Sequence, residues 1–155
     1  LRNLPDVVIV LVGGGREKLK LKKLAEDKAL KNVVFLDAVP KGQVQSILAR
    51  FDVLYIGWKN DPLYQFGIAP NKLPEYMYSG KPILHSFSGA GDVVDKFQMG
   101  LTVPAEDAAA VARGIVKLYE MAPAERENMG ANGQRYVLEN HEYGMLANKL
   151  ASLIY

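Results

Sequence analysis

The chain has 155 residues, 49% of them hydrophobic and 23% charged, a globular composition that fits neither disorder nor a membrane-resident chain. Lysine plus arginine number 19 and aspartate plus glutamate 17, a net charge of +2. That is too balanced for a general nucleic-acid binder, yet it allows a local basic pocket for a phosphorylated small molecule. With no cysteine, and with His85 and His141 in no ligand-like spacing, disulfides and thiolate chemistry are excluded and a metal held by side chains is not expected. The longest apolar run, Val7 to Val12, is far shorter than a membrane span. The opening LRNLPD does not read as a signal peptide, so a cytoplasmic domain is expected. The first residue is Leu1 rather than Met, which points to a fragment of a longer protein.

In chain order, β-rich runs alternate with helical stretches. VVIVLV (7–12) reads as a strand, the turn Gly13-Gly14-Gly15 follows it, and 16–29 reads as a helix with Leu21, Leu24 and Ala25 on one face. VVFLD (33–37) is a second strand, and Val44, Ile47 and Leu48 mark a short helix. DVLYIG (52–57), PILH (82–85) and LTV (101–103) supply three more strands. Apolar strands separated by helices predict a parallel sheet buried on both faces, in a layered α/β fold. The last third is helical. Val111, Ala112, Ile115, Leu118 and Tyr119 form an amphipathic stripe, 125–139 reads helical despite Gly130 and Gly133, and Leu146, Leu150, Leu153 and Ile154 form a final stripe. One α/β domain over 1–155 with a helical C-terminal tail is the expected organisation.

In such sheets ligands bind beyond the C-terminal strand ends, here the loops 13–16, 37–42, 58–72 and 86–92. Gly13, Gly14 and Gly15 permit close backbone approach to a ligand, or form no more than a tight strand-to-helix turn. The dinucleotide fingerprint GxGxxG requires glycine where Lys18 stands, although Asp37 sits where such a fold places its ribose-binding acid. The segment GIAPNKLPEYMYSGKP (67–82) says most. Pro74 is tolerated only in the first turn of a helix, so Asn71 is the expected N-cap, Lys72 the first helical residue and Glu75 the fourth. Backbone amides, a helix dipole and a lysine then converge on one spot suited to phosphate. A carboxylate at Glu75 lies where it can accept from a vicinal diol. An ordinary capped helix with a solvated lysine remains open at this point. Asp92 reads as the N-cap of the next helix, and His85 as a satisfied core histidine. The lysines at 18, 20, 22, 23 and 28 read as a solvated helix face.

With these residues in hand, the chain resembles the nucleotide-sugar-binding C-terminal domain of a retaining GT-B glycosyltransferase, family GT4, over nearly its whole length. VVIVLVGGGREKLKLKKLA resembles the family's strand–Gly-x-Gly–helix segment, and NVVFLDAVPKGQVQSILARFDVLYIG its next two units. FGIAPNKLPEYMYSGKPIL matches the glycine-rich loop and the helix after it, and GLTVPAEDAAAVARGIVKLYE the stretch that follows. Pro70-Asn71-Lys72 resembles a branch common among bacterial surface-polysaccharide and amino-sugar transferases. The resemblance implies a Rossmann-like parallel sheet flanked by helices, the C-terminal half of a GT-B fold.

The same resemblance implies roles. Glu75 takes the place of the second glutamate of the family's E-x7-E motif, on the ribose hydroxyls. Gly67, Ile68, Ala69, Pro70, Asn71 and Lys72 match the loop that holds the diphosphate and the sugar. Gly13 to Gly15 and Arg16 match the segment beside the donor, and Asp37 to Val39 the turn that meets the base. Gly67 stands where the motif's first glutamate belongs, so its sugar contact is expected to pass to loop amides or to Asn71. The family's first strand would precede residue 1. It supplies an arginine and a lysine to the diphosphate, so this piece alone is expected to bind donor poorly, to be inactive and to self-associate by strand pairing. The implied activity is transfer of a hexosyl or N-acetylhexosaminyl unit from a nucleoside diphosphate sugar, UDP foremost, to a polysaccharide or lipid-linked acceptor. It needs no metal and no cofactor, and an N-terminal acceptor domain of the same protein completes it. Peripheral membrane association of the full-length protein is allowed. Two rivals stand beside it: an NAD-binding dehydrogenase domain and a non-catalytic module that holds a sugar nucleotide.

Overall fold

The computed structural model describes residues 4–154. Its elements follow the predicted order: β1 (Ile9–Val12), α1 (Lys18–Asp27), β2 (Val33–Leu36), α2 (Val44–Leu48), β3 (Leu54–Gly57), α3 (Lys72–Tyr78), β4 (Ile83–Ser86), α4 (Val93–Lys96), β5 (Gly100–Val103), α5 (Ala108–Glu120), α6 (Pro123–Asn140) and α7 (Tyr143–Ile154). Single 3-10 segments cover Lys41–Gln43 and Pro62–Phe66. All strand pairs are parallel, as strands joined through helices must be when they run the same way.

The single sheet expected from the sequence is instead two. The chain divides into two compact units, Leu1–Val44 and Gln45–Tyr155. The first holds the pair β1–β2, and the second holds three strands in the order β3–β4–β5.

In the first unit β1 starts later than predicted, because the Val7 N–H turns back to the Leu4 carbonyl at 3.1 Å. Burial on both faces is not met here. Leu11, Val12, Val34 and Leu36 are all exposed, and of the helix face only Ala25 is buried while Leu21 and Leu24 remain exposed. Two strands and one helix of ten residues have too little area to enclose both faces of a sheet.

The second unit carries a core of its own, built from Leu73, Met77, Ile83, Val94, Met99 and Val137. All four residues of β4 are buried, as befits the middle strand of a parallel sheet. Its helix α3 lies against α6, where Gly130 and Gly133 find their explanation. A Cβ on Gly130 would overlap the Gly80 carbonyl oxygen, so glycine is what lets the helix meet the Gly80 turn. On the predicted α5 stripe Leu118 is buried but Tyr119 is exposed, and the inward line runs through Ala110, Gly114 and Leu118. Gly114 faces the Leu84 side chain of β4. In the final stripe Leu146, Leu150, Leu153 and Ile154 are exposed, and α7 has no buried residue. No helix among the described residues is long and apolar enough to cross a membrane.

Candidate functional site

The predicted site residues fall into both units. In the first, Gly13 and Gly15 have φ of 134° and 130°, backbone that side chains with a Cβ rarely adopt. Nothing lies within 4 Å of a Cβ built on any of Gly13, Gly14 or Gly15, so the turn is open as well as tight. It lines a shallow hollow of about 270 Å³ together with Arg16, Lys18, Leu21 and Phe35. Arg16 is exposed, and Val39 is half-buried in the segment before the Lys41–Gln43 turn.

Lys18 is not the solvated lysine the sequence implies. Its Nζ donates to the Gly13 carbonyl at 2.8 Å, the Leu36 carbonyl at 2.9 Å and Asp37 Oδ1 at 2.8 Å. It thereby joins the C-terminal ends of β1 and β2, where the Leu36 carbonyl also accepts from the Gly13 N–H at 3.2 Å. The hydrogen bond from Lys18, and then its charge, hold the Asp37 carboxyl below the usual carboxylate range. Asp37 is thus engaged by the residue that replaces the third glycine of the dinucleotide fingerprint, which counts against its role as a free ribose acceptor.

In the second unit the loop leaving β3 is built up stepwise. The Asp61 side chain accepts from the Leu63 N–H at 2.9 Å and starts the Pro62–Phe66 segment, with Pro62 in its first turn. That segment ends at Gly67, whose φ of 99° suits glycine best. Ile68 and Pro70 are half-buried, Ala69 exposed. Helix α3 then begins at Lys72 and brings Asn71, Lys72 and Glu75 within about one turn of each other. The expected cap is corrected here. Asn71 holds the N-cap position with helical φ and ψ of −62° and −28°, and its side chain makes no capping bond. Because its backbone is already helical, its carboxamide is not placed over the N–H groups of the first turn.

The amide cradle is smaller than expected too. Pro74 has no N–H, and the Leu73 N–H is turned to the Pro70 carbonyl at 3.4 Å. Among the described residues this leaves the N–H groups of Asn71 and Lys72 without a partner. The Lys72 ammonium and the Glu75 carboxylate likewise have no hydrogen bond or ion pair, whereas the Glu75 backbone carbonyl accepts from Gln45 Nε2 at 3.1 Å. Burial, and then the nearby Glu75 charge, push the Tyr76 phenol above its usual value. One cation, one carboxylate and two free amides therefore share the start of a helix that leaves from the C-terminal side of a parallel sheet.

Beneath this loop lies a polar chain of which the sequence showed only the two middle members, His85 and Asp92. His85 is fully buried, as expected of a core histidine. Its Nε2 accepts from the indole N–H of Trp58 at 2.9 Å, and its Nδ1 meets Asp92 Oδ1 at 3.0 Å. An indole nitrogen can only donate, so Nε2 carries no proton in this arrangement and Nδ1 donates to Asp92. Asp92 also caps α4, as predicted, through the Val94 and Asp95 N–H groups, and its second oxygen accepts from the Thr102 hydroxyl. Burial pushes the Asp92 carboxyl up, but the bonds from His85, Thr102 and the Asp95 N–H outweigh it and leave the group below its ordinary value. Trp58 and Thr102 went unread in the sequence. The one signal was the chain's single tryptophan one residue past a strand end.

A family model described as glycosyl transferases, group 1, matches residues 1–136. An uncharacterized glycosyltransferase of Methanocaldococcus jannaschii is 28% identical over 138 residues, 88% of this chain and 34% of the relative. A GDP-mannose-dependent monoacylated α-(1-6)-phosphatidylinositol monomannoside mannosyltransferase of Corynebacterium glutamicum is 25% identical over 152 residues, 97% of this chain and 39% of the relative. The chain thus spans little more than a third of the curated relatives it matches. Among solved structures, sucrose-phosphate synthase of Thermosynechococcus elongatus superposes with a TM-score of 0.77 at 22% identity, over 94% of this chain and 37% of that one. HepE of Anabaena, solved in complex with UDP-glucose, gives 0.74 at 17% identity, over 97% and 41%.

Proposed function

Because the chain belongs to the glycosyl transferases group 1 family, we propose that it is the sugar-nucleotide-binding part of a retaining glycosyltransferase of the GT4 type. Its substrate in this reading is a nucleoside diphosphate sugar, and its acceptor a polysaccharide or lipid-linked molecule held by the rest of the protein. The observation that carries the reading is the start of α3, where Lys72 and Glu75 are unpaired and the amides of Asn71 and Lys72 are free. Unspent charge of both signs over two free donors suits a ligand with an anionic end and a diol.

Lys72 and the two amides hold the β-phosphate. Glu75 accepts from the ribose hydroxyls, and Asn71, without a capping bond, is available to the sugar. Departure of the nucleoside diphosphate places negative charge where those donors already point, which is the form of catalysis such a site supplies. No protein nucleophile is required. The leaving diphosphate takes the acceptor proton, and Gly67 in place of an acid leaves the sugar to the loop amides and Asn71. UDP is the first candidate, because HepE was solved with UDP-glucose. GDP is the second, because the Corynebacterium relative is named GDP-mannose-dependent.

Calorimetric titration of UDP, GDP and NADH into the intact protein tests the reading. Saturable binding of UDP or GDP without a response to NADH is expected. Binding of NADH alone refutes it, and would return Asp37 to the role of ribose ligand despite its bond to Lys18.

A further inference from the structure

The loop that ends at Lys72 begins at Trp58, and its first half is tied down at several points. The Trp58 N–H continues the ladder to the Ser86 carbonyl at 3.0 Å, the Asn60 N–H reaches Glu106 Oε2 at 3.0 Å, and the Tyr64 carbonyl accepts from Ala90 at 3.1 Å. The indole packs edge-on against Tyr64 and Phe87, with centroids 5.4 Å and 6.3 Å away, and Phe87 stacks on the His85 ring at 4.9 Å. One hydrogen bond orients the indole, that from its N–H to His85 Nε2. Only the ring with its proton on Nδ1 can accept it, and Asp92, anchored on α4 and β5, holds that proton. The hydrogen bond that orients the indole at the root of the loop therefore depends on a tautomer.

We infer that His85 is a positioning residue for the sugar-nucleotide loop: kept as the Nδ1–H tautomer by Asp92, it accepts the Trp58 indole N–H and pins the root of the segment that delivers Lys72. His85 is fully buried; it acts through Trp58. The link from loop order to ligand rests on the function proposed above, whereas the pinning itself does not.

Two substitutions separate the ring nitrogens. His85→Asn keeps a donor near the Nδ1 position for Asp92 and removes the acceptor for Trp58; His85→Gln places an amide oxygen near the Nε2 position and restores that acceptor. Amide hydrogen exchange of the intact protein without ligand is expected to speed up about fivefold over residues 58–71 in His85→Asn, the factor that one net hydrogen bond is worth, with α5 and α6 unchanged. His85→Gln is expected to exchange within twofold of the wild type, and to bind UDP or GDP like it, while His85→Asn binds about fivefold more weakly. Trp58→Phe keeps an aromatic ring, removes only the donor and leaves the buried histidine in place, so it is expected to reproduce His85→Asn. Unchanged exchange over 58–71 in both His85→Asn and Trp58→Phe overturns the inference, as does an equal loss in His85→Asn and His85→Gln. A wild-type protein that binds neither nucleotide refutes the proposed function, and the exchange comparison still decides the pinning.

Discussion

Replacing Gly130 by alanine is expected to destabilise the protein, although the position lies inside a helix where alanine is intrinsically favoured. The added methyl would overlap the Gly80 carbonyl oxygen and lie 2.5 Å from the carbonyl carbon and 3.1 Å from the Lys81 nitrogen. All three are backbone atoms, and the turn they belong to is fixed by Gly80 at a φ of 69°, so no side chain can swing aside. Overpacking of a core costs about 1–3 kcal/mol, and a clash that must move backbone belongs at the upper end. Helix propensity returns about 1 kcal/mol for glycine to alanine. The net loss is about 2 kcal/mol, or about 4–8 °C in Tm for a chain of this size. Gly133→Ala is the control, since its Cβ would sit 3.4 Å from Met77 Cα, an ordinary contact. It is expected to gain about 0.5–1 kcal/mol. Urea denaturation of the two variants measures both signs. Equal stability of the two, or a Gly130→Ala protein at least as stable as the wild type, would refute the argument that close approach of α6 to the Gly80 turn requires glycine.

Two further expectations concern charge. Lys72→Ala should lower the affinity for UDP about ten- to a hundredfold more than that for uridine, as loss of a charged hydrogen bond of about 1.5–3 kcal/mol implies; equal losses for both would remove Lys72 from the phosphate. Asp92 titrates lower in the fold than its ordinary value of 3.8, so its contribution to stability is complete above that value and is lost as the pH falls through the lower folded value. Asp92→Asn should therefore show a shallower loss of stability in urea denaturation between roughly pH 5 and pH 2, and a wild-type slope in the variant would contradict the depressed value.

What could be read from the sequence was what is local in it. Short apolar runs located the five strands of the described residues, and the rule that proline belongs in a first turn set the start of α3 at Lys72. Asp92 was legible as a cap because its partners are the next residues along. Burial was not: an apolar run gives the polarity of a strand, not the number of layers around it, so β1 and β2 were expected to be enclosed and are not. Asn71 shows the same limit on a smaller scale, since residue type suggests a cap but backbone angles decide whether the side chain can form one. The Trp58–His85 bond joins residues 27 apart and the Lys18–Asp37 bond residues 19 apart, separations at which no periodicity reports. Lys18 was read as a missing glycine and as part of a solvated helix face, whereas its ammonium ties two strand ends together.

The register of β3, β4 and β5 aligns Gly57, Ser86 and Val103, the last residue of each strand. The three strands stop flush. Past the ladder bonds that the Trp58 and Phe87 N–H groups make to the Ser86 and Val103 carbonyls, the connections beyond that line can be lengthened, shortened or exchanged without shifting the register of the sheet. Loop grafting across related proteins should therefore alter ligand preference at little cost to folding, provided the graft keeps a tryptophan at its root and a left-handed glycine before α3. Substitution within the strands should do the reverse.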